Sequence, residues 1–333
     1  MFCELSPPVR NSVVKLNEQR FRLGSSMICE QTNVADPSSV LASWQDDGKT
    51  FILRKETVHE HDMLPSTSPA NRVHDAGTSA AVWLLGKDTF CKVKAWCEGL
   101  ESESETIDFV RTHCPDIPVP EVIFSWIDHD WSRSFMLIKR VAGKTLDERW
   151  PSLSPSQRSE IVHQVVEYCK KLSMLTSSNL ESVTGKGVYE NFLNGPAPDS
   201  HPTWKPRLLG PMPLDDFKEF LRQRTSTDEQ GIVPSVGEHF VFYHADLGPT
   251  NIMISEDAKV TGILDWEGAA FFPRFFLALK PRVSAGFFLS RESAGEERAA
   301  RFGWGDPFYK ALMAEGFDST ANDLAWWKGL AKF

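Results

Sequence analysis

The chain has 333 residues, with 45 acidic against 36 basic side chains and a net charge of −9. Hydrophobic residues at 41% and charged residues at 24% are enough to bury a core and exclude a disordered or fibrous chain. The acidic balance argues against a general nucleic-acid binder, which needs a basic surface, and the length allows two domains or one large bilobed one.

In chain order, the first 65 residues are broken by Pro7-Pro8, Gly24-Ser25-Ser26, Pro37-Ser38-Ser39 and Asp46-Asp47-Gly48. Such turn chemistry leaves only residues 50–54 as a strand, so 1–65 reads as an N-terminal extension or arm or as a completion of the small lobe, with 64–69 (LPSTSP) as a linker. Residues 72–74, 80–85 and 89–94 are strand-like and are separated by Asp75-Ala76-Gly77-Thr78-Ser79 and Gly86-Lys87-Asp88, which predicts a three-stranded meander. Ser102 and Glu105 have capping-box spacing before Ile107 and Val110, so a helix starts there. Ile117-Pro118-Val119-Pro120 stops it, and 122–126 and 135–140 read as two more strands.

The texture then becomes helical. Residues 154–175 open with Ser154, Pro155 and Gln157 and carry Ile161, Val165, Cys169 and Leu172 on one face, which predicts a capped amphipathic helix. Residues 214–223 form a second helix. Residues 240–243 form a strand that runs into a polar loop, and 251–255 and 260–264 flank a turn as a hairpin. The remainder, with Trp326 and Trp327, reads as helical. The expected class is α+β, with a small antiparallel β-sheet lobe at 66–141 and a larger, mainly helical lobe at 142–333.

Cysteines stand at 3, 29, 91, 97, 114 and 169. None has the two-residue spacing of a zinc knuckle or redox pair, so structural thiols in a reducing, cytoplasmic setting are expected. The N-terminus lacks the apolar run of a signal peptide. No window approaches about 18 consecutive apolar residues, so no membrane partner is expected.

The chemistry concentrates in Tyr243-His244-Ala245-Asp246-Leu247-Gly248-Pro249-Thr250-Asn251 and in Ile263-Leu264-Asp265-Trp266-Glu267. Asp246 and Asn251 are five apart, and Asp265 ends the second hairpin strand. Two carboxylates and an amide at the mouths of successive strands are hard oxygen ligands of the kind Mg²⁺ takes beside phosphates. A free carboxylate beside that metal can take a proton from an attacking hydroxyl. Each residue alone is compatible with ordinary turn hydrogen bonding; the combined spacing is the catalytic-loop layout of kinases.

On these motifs, HADLGPTNIM followed by GILDWE, the sequence resembles the aminoglycoside phosphotransferase family within the protein-kinase-like superfamily. The wording FYHADLGPTNIM and FFPRFF is most similar to fungal members of unknown substrate. The resemblance spans about residues 71–288 and implies a bilobed protein-kinase-like fold with its site in the cleft between lobes. It implies Asp246 as the base, Asn251 and Asp265 as Mg²⁺ ligands, and Lys92 as the lysine on the α/β-phosphates of ATP, with Lys94 as the alternative, otherwise a surface lysine. Glu103 is implied as the helix partner of that lysine, although the acids at 101, 103 and 105 would also suit a helix N-terminus. Ser79 is implied in the phosphate loop, which lacks GxGxxG. The backbone from Lys139 to Val141 is implied as the adenine contact, and His244 as a brace of the loop, although the residue by itself would also suit a general base. Glu267 is either an addition to the metal environment or a solvated acid. Phe272-Pro273-Arg274-Phe275-Phe276 stands where many members carry a further Asp.

The function so implied is ATP-dependent transfer of the γ-phosphate to a hydroxyl of a small molecule. A nucleotide-binding pseudokinase scaffold is the alternative. A serine hydrolase built on Gly77-Thr78-Ser79 is disfavoured, because a strand and not a helix follows the serine. Glu190, Asp215 and Asp216 are candidate acids for a cationic acceptor, or plain solvated faces.

Overall fold

The computed structural model describes residues 7–32, 39–60, 64–190, 193, 199–201, 205–224, 234–295, 297–317 and 319–330. Cys3, the Pro37-Ser38 turn and the side chain of Trp327 lie outside the described residues. The chain divides into two compact units, one comprising Met1–Glu98, Pro120–Arg140 and Asp199–Pro206, the other Gly99–Val119, Val141–Pro198 and Arg207–Phe333.

The first unit holds two five-stranded antiparallel sheets. One is built from β1 (Val13–Asn17), β2 (Arg20–Leu23), β3 (Met27–Gln31), β4 (Val40–Asp46) and β5 (Lys49–Lys55), in the order β1-β2-β3-β5-β4. The other is built from β6 (Arg72–Asp75), β7 (Ala80–Leu84), β8 (Thr89–Ala95), β9 (Val122–Asp128) and β10 (Arg133–Lys139), in the order β6-β7-β8-β10-β9. The meander at 72–95 and the two later strands stand where the sequence puts them. Alternate residues of both sheets meet in one core: Phe21 and Leu23, Phe51 and Leu53, Ala81 and Trp83, Cys91 and Val93, Phe135 and Leu137. This period of two is what a strand with one buried face requires. Polar ties join the sheets. Trp44 Nε1 donates to Thr89 Oγ1 at 2.8 Å, Asp46 Oδ1 accepts from the Lys87 and Asp88 N–H groups at 3.0 and 3.1 Å, and Asp128 Oδ2 accepts from Ser25 N–H at 2.6 Å.

The described residues of 7–60, which the sequence leaves as an arm or as a completion of the small lobe, thus form a five-stranded sheet. Its strands are short and mix charges among their apolar residues, so most of them go unannounced. Arg20 with Glu30 at 2.6 Å and Arg54 with Glu30 at 2.7 Å join neighbouring strands, and just beyond β5 Glu60 meets Arg54 at 2.6 Å and Glu56 meets Arg22 at 2.6 Å. The Arg54 guanidinium lowers the Glu60 carboxyl from its ordinary 4.5 to about 2. A carboxyl depressed on folding stabilises the fold above its unfolded value and loses that contribution as pH falls through the folded one. Wild type is therefore expected to melt above Glu60→Gln at neutral pH, the gap closing between about pH 4.5 and pH 2; melting curves across that range check it.

The second unit is mainly helical. α1 (Glu103–His113) opens on the full capping box of Ser102 and Glu105, and α3 (Pro155–Ser173) on that of Ser154 and Gln157, with α2 (Leu146–Arg149) between them. Ile161, Val165, Cys169 and Leu172 are all buried on α3. Two small antiparallel sheets carry the loops of interest. Phe240–Tyr243 lies between Thr176–Ser177 and Ala270–Pro273, and Ile252–Ile254 lies between Lys144–Thr145 and Val260–Ile263. The aromatic run at 271–276 is core: Phe272 and Phe276 are fully buried and stack at 4.8 Å. Arg274, within that run, holds the Gly316 carbonyl and lies over the Phe317 ring at 4.5 Å.

Cys29, Cys91, Cys97, Cys114 and Cys169 are free and buried, as structural thiols should be. Among the described residues no helix is long and apolar enough to cross a membrane.

Candidate active site

The Phe240–Tyr243 strand is buried at every position and delivers residues 244–251 as a tightly held loop. His244 is fully buried. Its Nδ1 accepts from the Asp246 N–H at 3.2 Å, and its Nε2 faces the Leu264 carbonyl at 2.9 Å. A carbonyl can only accept, so Nε2 carries the proton and both nitrogens are engaged. The ring meets Trp266 edge-on at 4.5 Å. His244 thus fastens the loop to the end of the second hairpin strand and has no lone pair for a substrate.

Asn251 Nδ2 donates to the Asp246 carbonyl at 2.9 Å and to Asp246 Oδ2 at 3.0 Å. The amide nitrogen is thereby committed to Asp246, and the amide oxygen is the group Asn251 has for a cation. The Leu264 N–H donates to the Asn251 carbonyl at 2.8 Å, which links the loop to Asp265. Asp265 adopts the left-handed conformation at φ 65° and ψ 57°, and Ala245 has φ 68°. Two non-glycine residues in that region are held against a backbone cost of order 1–3 kcal/mol each, a pattern found where a side chain must be aimed.

Further contacts fix the loop. Trp304 Nε1 donates to the Leu247 carbonyl at 2.9 Å, and the Asp147 N–H donates to the Pro249 carbonyl at 2.9 Å. Asp147 in turn accepts from the Ser290 N–H at 2.8 Å. Gly248 lies against Gly286 so closely that a Cβ on Gly248 would be 2.2 Å from the Gly286 carbonyl oxygen.

Asp246, Asp265, Glu267, Glu190 and Lys280 line one pocket of about 170 Å³, together with Tyr189, Ala245, Gly268 and Ser284. Burial raises the Asp246 carboxyl above its ordinary value; Lys280 opposes this, Asp265 adds to it, Asn251 opposes it and Glu267 adds to it. Carboxylate oxygens of Glu103, Asp265 and Glu267 lie within 4.8 Å of one another, and Glu103 Oε1 accepts from the Trp266 N–H at 3.1 Å. This donor set, all hard oxygen, fits a divalent cation such as Mg²⁺.

Of the residues singled out in the sequence, Glu103, Val141, Asp246, Asn251 and Asp265 belong to the second unit, and Ser79, Lys92 and Lys139 to the first. Lys92 is in the middle of β8, paired with Val82 and Met136. Lys94, expected at the surface, is 8% exposed. β8 is the central strand of its sheet, so neighbours on both sides cover the aliphatic stem. The Ser79 hydroxyl donates to the Ala76 carbonyl at 2.9 Å within its own hairpin, and strand β7 follows it, which removes the nucleophile-elbow reading. The Lys139 N–H donates to the Glu121 carbonyl and the Arg140 N–H to the Asp88 carbonyl. Val141 packs its side chain directly over Gly262.

Sequence reasoning missed Lys280 and misjudged Glu190. Glu190 is 3% exposed and bonded to Lys280, whereas Asp215 and Asp216 are exposed at the start of their helix. A single lysine directly after the apolar run 275–279 was the available signal, since a charge in a buried helix needs a partner.

The sequence profile of the phosphotransferase enzyme family matches residues 45–276, well over half of the chain. Among solved structures, similarity extends to an aminoglycoside phosphotransferase from Streptomyces rimosus, at 18% identity over 79% of this chain and 91% of that one, with a TM-score of 0.47. An aminoglycoside-3'-phosphotransferase of type VIII is 17% identical over 79% of this chain and 93% of that one, with a TM-score of 0.45. No curated protein matches the chain. With the profile covering the two sheets of the first unit in part and the whole loop from His244 to Glu267, the chain belongs to the phosphotransferase enzyme family.

Proposed function

We propose that the chain moves the γ-phosphate of ATP to a hydroxyl of a small molecule, with Asp246 as the base. The observation that carries this reading is the Asp246–Asn251 pair at 3.0 Å, in which Asp246 shares with Asp265 the wall of a pocket of about 170 Å³. The acceptor hydroxyl gives its proton to the Asp246 carboxylate as its oxygen forms a bond to the γ-phosphorus. The bond from that phosphorus to the β–γ bridging oxygen breaks, and ADP leaves with the electron pair. Burial that raises the Asp246 carboxyl makes the carboxylate a better proton acceptor. Fixing it through His244 and Asn251 supplies orientation ahead of the reaction.

Asn251 and Asp265 would hold Mg²⁺, with Glu267 adjacent; the ion would neutralise charge on the phosphates. Lys92 takes the α/β-phosphates, and Ser79 and its turn serve as the phosphate loop. With the Lys139 and Arg140 N–H groups already donated, Val141 is the remaining donor of the segment from Lys139 to Val141 for an adenine ring.

The test is the thermal midpoint with and without Mg-ATP, for wild type and Asp265→Ala. At about 100 times Kd, bound nucleotide adds about 2.7 kcal/mol, a rise of several degrees for a protein of this size. Wild type is expected to show a Mg²⁺-dependent rise and Asp265→Ala to lose most of it. A flat response of wild type at millimolar Mg-ATP removes the reading.

A further inference from the structure

Lys280 and Glu190 form a buried ion pair in the pocket that holds Asp246. The ammonium is 2.5 Å from Glu190 Oε2, the two residues are 6% and 3% exposed, and they come from separate elements, the Arg274–Val283 helix and the segment after Val188–Tyr189. Resting on the site reading above, we propose that the Lys280 ammonium, held by Glu190, is a second cation of the reaction centre and binds the transferring phosphoryl group on its acceptor side.

Charge is the first argument. Among the described residues lining the pocket, four are carboxylates, Asp246, Asp265, Glu267 and Glu190, and Lys280 is the sole cation. Phosphoryl transfer spreads negative charge over three equatorial oxygens and leaves a phosphate ester beside those acids. Carboxylates alone would repel it, whereas a cation fixed in a poorly solvated wall stabilises it with no reorganisation at the moment of transfer.

Energetics is the second. Burying an ion pair costs several kcal/mol of desolvation per charge, and apolar residues of the same volume often stabilise a fold as well or better. The fold has ample apolar material here, with Phe276 under the ammonium at 5.3 Å and Phe275, Leu277 and Leu279 buried on the same helix. A requirement for charge in the pocket accounts for the lysine. Glu190 holds and aims it, and the end of the same helix brings Ser284 to the wall.

The experiment uses Mg-ATP with water as the acceptor, so that no natural acceptor is required. Wild type, Asp246→Asn and the paired variant Lys280→Met with Glu190→Leu are compared for ADP release and for the rise in Tm with Mg-ATP. Removing both charges leaves no unpaired ion in the core. The paired variant is expected to keep its Tm rise and its KM for ATP while kcat falls roughly 10²-fold, a split that a merely structural role would not produce. If that pair gives no cooperative melt, Lys280→Gln with Glu190→Gln takes the same measurement. An unchanged kcat in a folded uncharged pair overturns the assignment of Lys280 and leaves the site reading standing. Absence of both ADP release and Tm rise in wild type overturns the site reading and this assignment together.

Discussion

Asp246→Asn is expected to abolish turnover and leave nucleotide binding intact. Loss of a positioned general base costs typically 10²–10⁴ in rate, so kcat for ADP release should fall by about 10³-fold while the Mg-ATP-dependent rise in Tm persists. The local structure permits so clean a result. An asparagine at 246 keeps a side-chain oxygen for Asn251 Nδ2, now at 3.0 Å from Asp246 Oδ2, and leaves the 2.9 Å bond to the backbone carbonyl untouched. The bond to His244 Nδ1 is likewise kept, since residue 246 gives it from its backbone N–H. What disappears is the proton acceptor. Coupled ADP-release kinetics together with melting curves check both halves, and a variant that turns over at the wild-type rate removes Asp246 as the base. The same variant separates enzyme from scaffold, because a scaffold that only binds nucleotide would act normally in the cell with asparagine at 246.

The loop proposed as the site was legible because its residues meet over short distances. His244, Asp246, Asn251 and Asp265 lie within 22 positions of sequence, and hairpin geometry brings them together with no long-range packing to infer. The meander and the capped helices were legible for a similar reason, since alternation and the Ser-x-x-Glu and Ser-x-x-Gln boxes are local signals. Of residues 7–60 only 50–54 was, because each strand is four to seven residues long and several of its charges find partners only once the chain is folded. Arg54 and Glu30 look like solvated residues until β3 and β5 are set side by side. Glu190 failed in the same way: it is 90 positions from Lys280, and nothing near it in sequence marks it as buried.

Gly248→Ala is the second large effect, and it tests whether loop position as well as chemistry sets the rate. The added Cβ would be 2.2 Å from the carbonyl oxygen of Gly286, a backbone atom with no rotamer to yield, so the loop itself must move. Overpacking of this kind costs typically 1–3 kcal/mol, and a displacement of about 1 Å at a reacting group can cost 10²-fold in rate. The expected outcome is a Tm lowered by several degrees and a kcat for ADP release lowered about 10²-fold. Gly286→Ala supplies the contrast. Its Cβ would be 3.0 Å from Asp246 Oδ1 and 3.4 Å from Ser284 Oγ, both side-chain atoms that can give by a few tenths of an ångström. It should melt nearly as wild type and lose activity through Asp246 alone. Greater loss of stability in Gly248→Ala than in Gly286→Ala, with both impaired in kcat, follows only if the loop carrying Asp246 is pinned through its backbone against the turn at Ser284–Phe287. Equal melting of the two variants would mean that the loop yields freely, and that the bonds from His244, Asp147 and Trp304 do not hold it where the structure has it.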